Sequence, residues 1–240
     1  MNQNRILSVK SIVAIVPAAG VGSRMKTSIP KQYLMLSGKT VLEYSVEKLL
    51  SHPLINKIVI AIADFDPYYP ELSLSSNPDV IKVSGGKDRA NSVLSALKYV
   101  KEHRLSKWVI VHDVVRPCIQ LSDINKLIKK ALNHDVGAIL SIPVRDTIKY
   151  ADKQKNVRYT LDRSSLWHAL TPQMFKTEIL FHALDKALSL GLKITDESSA
   201  LENLEKRPAL VIGRADNIKI TQREDLYLAN FFYFIKNNLV

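Results

Sequence analysis

Three features of the 240-residue chain predict a single α/β domain built on a mostly parallel sheet. Short apolar runs alternate with amphipathic helical stretches as far as about residue 142. The first run, Ser11 to Val16, opens directly into the small-residue turn Pro17-Ala18-Ala19-Gly20-Val21-Gly22. No linker, internal repeat or low-complexity tract divides residues 1–240, and a chain of this length buries a sizeable core without disulfides or metals.

The expected strands are Ile12 to Val16, Lys57 to Ile62, Val80 to Val83, Trp108 to Val111 and Ala138 to Ile142. Each is a short aliphatic run bounded by polar residues, as a strand covered on both faces requires. Between them, apolar residues recur at helical spacing. Val41, Leu42, Tyr44, Ser45, Val46, Leu49 and Leu50 mark one helix; Val93, Leu94, Ala96, Leu97 and Val100 a second; Ile124, Leu127, Ile128, Ala131 and Leu132 a third. Beyond residue 142 the period changes. Val144 to Tyr150 and Val157 to Leu161 alternate like strands around a polar turn, which predicts a β-hairpin arm at about 144–163. Because a lone two-stranded ribbon is only marginally stable in water, such an arm is expected to pair with a partner subunit. A helix from about Thr177 to Leu190, a short helix over Glu197 to Leu204 and a strand at Ala209 to Ile212 follow. A terminal helix, opened by Thr221 and Glu224 as a capping box, closes the chain. Tyr159, Trp167, His168 and Phe175 read as core or interface aromatics.

The single cysteine, Cys118, excludes an internal disulfide framework and any cysteine-cluster metal site, so a reducing, cytoplasmic location is expected. No apolar run approaches the length of a membrane span, and the start Asn2-Gln3-Asn4-Arg5 lacks a signal-peptide core. No membrane association is therefore expected. The formal net charge is +11, but the lysines are dispersed and not interleaved with aromatics. That pattern fits a solvated surface and an anionic small substrate better than nucleic acid.

The turn after the first strand carries the chemistry. Ala18, Ala19, Gly20 and Gly22 let backbone N–H groups approach a phosphate or base, and Arg24 and Lys31 bring positive charge to the same place. The segment reads as a triphosphate-binding loop. It lacks the Gly-Lys-Ser/Thr of a P-loop, and Met25 stands where a dinucleotide fingerprint needs its third glycine.

Ligands of parallel α/β sheets collect beyond the carboxyl ends of the strands, so the residues there take priority. Asp113, directly after Trp108 to Val111, is a candidate Mg²⁺ ligand; the alternative is a turn cap or a pair with Arg116. His112 reads as a packed histidine. Gly85-Gly86 with Arg89, Asn91 and Ser92 at a helix start suits contact with a ribose or base, or an ordinary capped turn. Arg163 and Lys219 are further cations in segments that turn from apolar to polar.

Taken together, these segments resemble the 2-C-methyl-D-erythritol 4-phosphate cytidylyltransferases of the non-mevalonate isoprenoid route. The resemblance runs nearly end to end. It is carried by Pro17-Ala18-Ala19-Gly20, Gly22, Arg24-Met25, Pro30-Lys31-Gln32-Tyr33, Gly85-Gly86, Arg89-Ala90, His112-Asp113, Arg116-Pro117 and Pro143-Val144-Arg145-Asp146-Thr147. Asp162-Arg163, Leu166-Trp167-His168-Ala169-Leu170-Thr171-Pro172-Gln173, Thr195-Asp196-Glu197 and Gly213-Arg214-Ala215-Asp216-Asn217-Ile218-Lys219 extend it. It implies a Rossmann-like nucleotidyltransferase domain that transfers CMP from CTP to methylerythritol phosphate with Mg²⁺ as cofactor, acting as a homodimer through the arm. On this reading Arg24 and Lys31 stabilise charge on the triphosphate, Asp113 helps hold the metal, and Arg163 and Lys219 orient the attacking monoester. Arg116, Thr147 and Thr171 complete its pocket, Thr147 serving the partner's site, while Ala18, Ala19, Gly86 and Ser92 address cytosine and ribose. Val114 and Val115 stand where the family usually has alanines, and Lys87 where it usually has an acidic residue, which implies slower catalysis and not a different reaction. The competing readings are a cytidylyltransferase for ribitol 5-phosphate or another polyol phosphate, and a non-catalytic nucleotide-binding protein.

Overall fold

A computed structural model describes residues 11–20 and 29–238, with side chains as far as residue 233. In chain order the elements are β1 (Ile12–Pro17), β2 (Met35–Leu36), β3 (Lys39–Thr40), α1 (Val41–Leu50), β4 (Ile55–Ile62), β5 (Val80–Ser84), α2 (Arg89–Glu102) and β6 (Trp108–Val111). Then come α3 (Leu121–Leu132), β7 (Gly137–Pro143), β8 (Ile148–Ala151), β9 (Val157–Leu161), β10 (Trp167–Lys176), α4 (Thr177–Ser189), α5 (Glu197–Glu202), β11 (Ala209–Ile212) and α6 (Arg223–Asn238). Seven strands form one sheet in the order β11-β7-β10-β6-β1-β4-β5, with β10 antiparallel to both neighbours and the other pairings parallel.

Strand period 2 divides the sheet between two cores. Ile12, Ala14 and Val16 of β1 face the side covered by α1, α3 and α6, whereas Val13 and Ile15 face α2, α4 and α5. Both faces are thus covered, which is why β1 and β4 are almost uninterrupted aliphatic runs. Local signals fix the helix starts. Thr40 and Glu43 form a capping box on α1, Asp88 accepts from the Asn91 amide at the start of α2, and Asp196 caps α5. At α6 the acceptor differs from the expected one: Asp225, not Glu224, takes the Thr221 hydroxyl and the amides of Thr221 and Gln222. Among the described residues, no helix is long and apolar enough to cross a membrane.

One central strand was not legible in the sequence. β10 lies between β6 and β7, yet the run from Trp167 to Lys176 contains Pro172, and its ladder with β7 is interrupted between Ala169 and Gln173. Proline removes a ladder donor and breaks the pattern by which a strand is recognised. The aromatics divide accordingly. Phe175 is in the core, whereas Trp167, His168 and Tyr159 are exposed and are not core residues. The arm is present as the antiparallel pair β8 and β9, but its first strand begins at Ile148, and Val144 to Thr147 lie outside it. Tyr150 and Tyr159 stack at 4.9 Å on its exposed surface.

The chain runs outward from β1 to β4 and β5, then returns through α2 to β6 on the other side of β1. The order therefore reverses between β1 and β6, and a crevice opens beyond their carboxyl ends. The close approach of β7 to β10 depends on Gly137, whose φ is +133° and where a Cβ would lie 2.2 Å from the Met174 carbonyl oxygen. Gly137→Ala is expected to cost about 3 kcal/mol from backbone strain and overpacking together. An unchanged urea midpoint and slope for that variant would show that β7 yields without cost.

Candidate active site

Two cavities of about 230 Å³ each meet at the carboxyl end of β6. One runs along the loop after β1, Lys31, and the turn from Gly86 to Arg89; the other lies against Arg116, Thr171 and Gln173. Arg89, Asp113 and Lys219 line both. Asp113 thus sits on the partition, where a strand end delivers a carboxylate to the switch point.

Three cations surround this buried carboxylate. Arg89 Nε lies 2.7 Å from Oδ1, Lys219 Nζ 2.7 Å from Oδ2, and Arg116 Nε 3.9 Å from Oδ2. Burial pushes the Asp113 carboxyl up, but Arg89 and Lys219 more than offset this and hold it well below the usual carboxylate range. The ion pair with Arg116 that the sequence offered as an alternative is therefore the weakest of the three. Arg89 in turn forks onto Glu197, with Nη1–Oε1 at 2.7 Å and Nη2–Oε2 at 3.0 Å. Glu197 is fully buried. Burial disfavours the Arg89 charge, but Glu197 and Asp113 hold its pKa above the ordinary value.

A relay of neutral groups fixes the backbone beneath. The Asp113 amide donates to Thr171 Oγ1, which lies 3.1 Å from His112 Nδ1, while His112 Nε2 lies 3.1 Å from the Arg116 carbonyl oxygen. With the ring neutral, one assignment satisfies all three contacts: Nε2 carries the proton and donates to Arg116, and the Thr171 hydroxyl donates to Nδ1. His112 is fully buried, and desolvation lowers its pKa to about 4. It is a packed histidine that orients Thr171. Asn217 joins the same frame by donating to the Thr171 carbonyl oxygen and accepting from Arg116 Nη1 through its own.

The residues singled out in the sequence fall into three groups. Ala18, Ala19, Gly20, Lys31, Gly86, Ser92, Asp113 and Lys219 line the first cavity; Arg116 and Thr171 line the second, together with Asp113 and Lys219. Gly22 and Arg24 lie outside the described residues. Thr147 and Arg163 line neither cavity; both are exposed at the base of the arm, where Arg163 Nη1 donates to the Arg145 carbonyl oxygen. Several contacts refine the expected roles. The Ala18 amide and carbonyl are engaged by Ala61 and Gln32, so this residue anchors the loop. Ser92 Oγ accepts from the Gly86 amide and donates to the Asp88 carbonyl, which shapes the turn from inside. A Cβ on Gly85 would lie 2.2 Å from that of Ala19, so the two loops can meet only with glycine there. Val114 and Val115 are buried in the core as well as lining the first cavity, and their carbonyls accept from Ser45 Oγ and the Ile220 amide.

Glu197 and Gln173 are the residues that sequence reasoning left without a role. Gln173 Nε2 donates to Asp196 Oδ2 and its Oε1 accepts from the Ser198 amide, which seats α5 so that Glu197 reaches Arg89. The signal was an acidic pair at a helix start, Asp196 capping and Glu197 turned inward. Among the described residues no cluster of three or more His, Cys, Asp or Glu could hold a metal by itself. The ionised carboxylate of Asp113 is the donor type that fits Mg²⁺ held jointly with phosphate, since that ion takes one or two carboxylates and completes its shell with phosphate oxygens and water, provided that Arg89 or Lys219 yields a carboxylate oxygen. Chemically, the two cavities offer places for two phosphorylated molecules with shared cations between them.

Known proteins show the same arrangement of chain. Residues 12–234 match the family model described as 2-C-methyl-D-erythritol 4-phosphate cytidylyltransferase. The chain is 62% identical over 222 residues to a protein of that name from Aliivibrio fischeri, covering 92% of this chain and 93% of the relative. It is 58% identical over 222 residues to one from Vibrio cholerae, covering 92% and 96%. Among solved structures, a 4-diphosphocytidyl-2C-methyl-D-erythritol synthase superposes with a TM-score of 0.81 at 33% identity, covering 93% of this chain and 99% of the other. A 2-C-methyl-D-erythritol 4-phosphate cytidylyltransferase of Francisella tularensis gives 0.79 at 36% identity, covering 92% and 99%.

The buried imidazole sets a pH dependence. An unfolded histidine takes up its proton near pH 6.5, whereas His112 stays neutral down to about 4, so the unfolded chain binds more protons in between. Above pH 6.5 this group contributes nothing to the dependence; as the pH falls from 6.5 to 4, stability should drop by at most about 3 kcal/mol. Urea unfolding in EDTA at pH 7.5, 6 and 5 checks this against His112→Gln, which should show a flatter profile; identical slopes would assign the loss elsewhere.

Proposed function

The chain belongs to the 2-C-methyl-D-erythritol 4-phosphate cytidylyltransferase family, and from that premise we propose that its two joined cavities seat CTP and methylerythritol phosphate on either side of Asp113. The reaction transfers CMP from CTP to 2-C-methyl-D-erythritol 4-phosphate, giving 4-diphosphocytidyl-2-C-methyl-D-erythritol and pyrophosphate. The observation that carries the site assignment is the sharing of Arg89, Asp113 and Lys219 between the two cavities.

The chemistry needs no general base. A phosphate monoester near neutral pH is already largely a dianion, so its oxygen can attack the α-phosphorus once the two anions are held together in line. In this reading Lys31, with Arg24, offsets charge on the triphosphate as the bond to pyrophosphate breaks. Ala18, Ala19, Gly20, Gly22, Gly86 and Ser92 form the nucleotide side, through loop shape as much as through direct contact. Lys219 and Arg116 hold the acceptor phosphate, with Thr171 setting the wall and an arriving phosphate competing with Asp113 for Lys219. Arg116 Nε, buried and without a hydrogen-bond partner among the described residues, suits that task. Asp113 would hold Mg²⁺, which would supply positive charge to offset that of the reacting phosphates.

Arg163 and Thr147 flank the arm at its base, and in this reading they complete a neighbouring subunit's site within a homodimer. The exposed Tyr150, Val157 and Tyr159 support an arm that pairs with another chain. A cytoplasmic location agrees with the lone buried cysteine.

Pyrophosphate release with CTP and Mg²⁺ should occur with methylerythritol phosphate and not with ribitol 5-phosphate. Lys31→Ala should lower kcat/KM by at least about a hundredfold, the scale of losing one charge-stabilising group. Turnover with ribitol 5-phosphate alone would move the substrate assignment, and full activity of Lys31→Ala would remove that residue from the mechanism. In light scattering the full chain should run as a dimer and Val157→Glu/Tyr159→Glu as a monomer; a monomeric parent chain, or a dimeric variant, would rule out the arm as the joint.

A further inference from the structure

A cavity of about 530 Å³ lies at the opposite end of the sheet from the crevice, where Trp108 opens β6 and its register partner Lys176 closes β10. Its volume is in the range of small-molecule sites, and none of its lining residues takes part in the chemistry above. Trp108 and Ile179 supply an apolar wall, and four cations stand around it. Two of these are committed: Lys101 Nζ lies 3.0 Å from Glu178 and 3.9 Å from the Phe181 ring centre, and Lys176 Nζ lies 6.0 Å from the Trp108 ring centre. Arg104 and Lys107 have no side-chain partner among the described residues.

The placing of Arg104 is notable on physical grounds. Its φ is +50°, and the Arg104 amide donates to the Lys101 carbonyl while the Leu105 amide donates to that of Val100. This is the left-handed residue that ends α2, where glycine fits without steric cost and an arginine does not. Stability alone does not favour arginine at this position, and the side chain it brings lines the cavity.

We propose that this cavity binds an amphipathic organic monoanion, with its apolar body against Trp108 and Ile179 and its carboxylate, sulfonate or phosphate head between Arg104 and Lys107. A guanidinium and an ammonium that no carboxylate neutralises supply charge-assisted bonds to the head. The aromatic and aliphatic wall supplies burial for the body. The site is separate from the crevice and stands whether or not the chain turns over CTP.

The chain contains two tryptophans, so Trp167→Phe leaves Trp108 as the sole reporter. In that background, with CTP and Mg²⁺ saturating the crevice, 8-anilinonaphthalene-1-sulfonate should quench Trp108 saturably with energy transfer to the probe. Arg104→Gly and Lys107→Ala should each weaken its affinity about tenfold, the scale of one hydrogen bond to a charged group. The neutral N-phenyl-1-naphthylamine should bind equally to parent and variants. Arg104→Gly also suits the local φ, so its melting temperature should stay the same or rise, and lost binding cannot then be lost folding. Absence of saturable quenching, or an unchanged affinity of the sulfonate for Arg104→Gly, would overturn the proposal.

Discussion

The buried carboxylate of Asp113 is the constraint around which the rest of this structure is arranged. An ionised group at that depth is costly unless it is paired and hydrogen-bonded, and removing one partner of such a set leaves an uncompensated charge. Arg89 and Lys219 meet its two oxygens, and Arg89 would itself be left with excess charge without Glu197. The chain of alternating charges Glu197, Arg89, Asp113 and Lys219 ties α5, the start of α2, the end of β6 and the segment after β11 into one unit. A weak point in any of these elements is felt at the others.

The same unit explains why cations stand in place at both cavities. Cations that must stabilise developing charge are most effective when they are already in place, since nothing then has to reorganise during the reaction. Here Asp113 holds Lys219 at the partition between the cavities, and the Asn217 carbonyl holds Arg116. Below them the neutral His112 and Thr171 lock the turn that presents Asp113. The valines beside Asp113 contribute bulk to this floor as well as to the first cavity, so part of that bulk is taken up by the core.

Much of this was legible in the sequence because much of it is local. Alternation of aliphatic runs with helical spacing reflects burial on both faces of a parallel sheet, and it marked β1, β4, β5, β6, β7 and β11. Polar residues at strand ends pointed to the Gly20 loop, the Gly86 turn and Asp113, because ligands collect where the strand order reverses. β10 escaped because a proline-containing antiparallel strand owes its existence to neighbours on both sides and not to its own pattern. The Thr221 cap was legible as a start signal, but whether Glu224 or Asp225 accepts is settled by a side-chain direction.

By itself, the sequence determined the fold class, the order of most elements, and the residues that carry its resemblance to a cytidylyltransferase family. Those properties follow from periodicity, turn chemistry and short motifs, all read within a few residues. Only the tertiary structure decided that Arg89 bridges Asp113 and Glu197, residues 24 and 108 positions away from it. It also decided that Thr147 and Arg163 stand apart with the arm. The physical reason is that a charge is neutralised by what lies within about 4 Å of it in space, and no spacing along the chain encodes that distance.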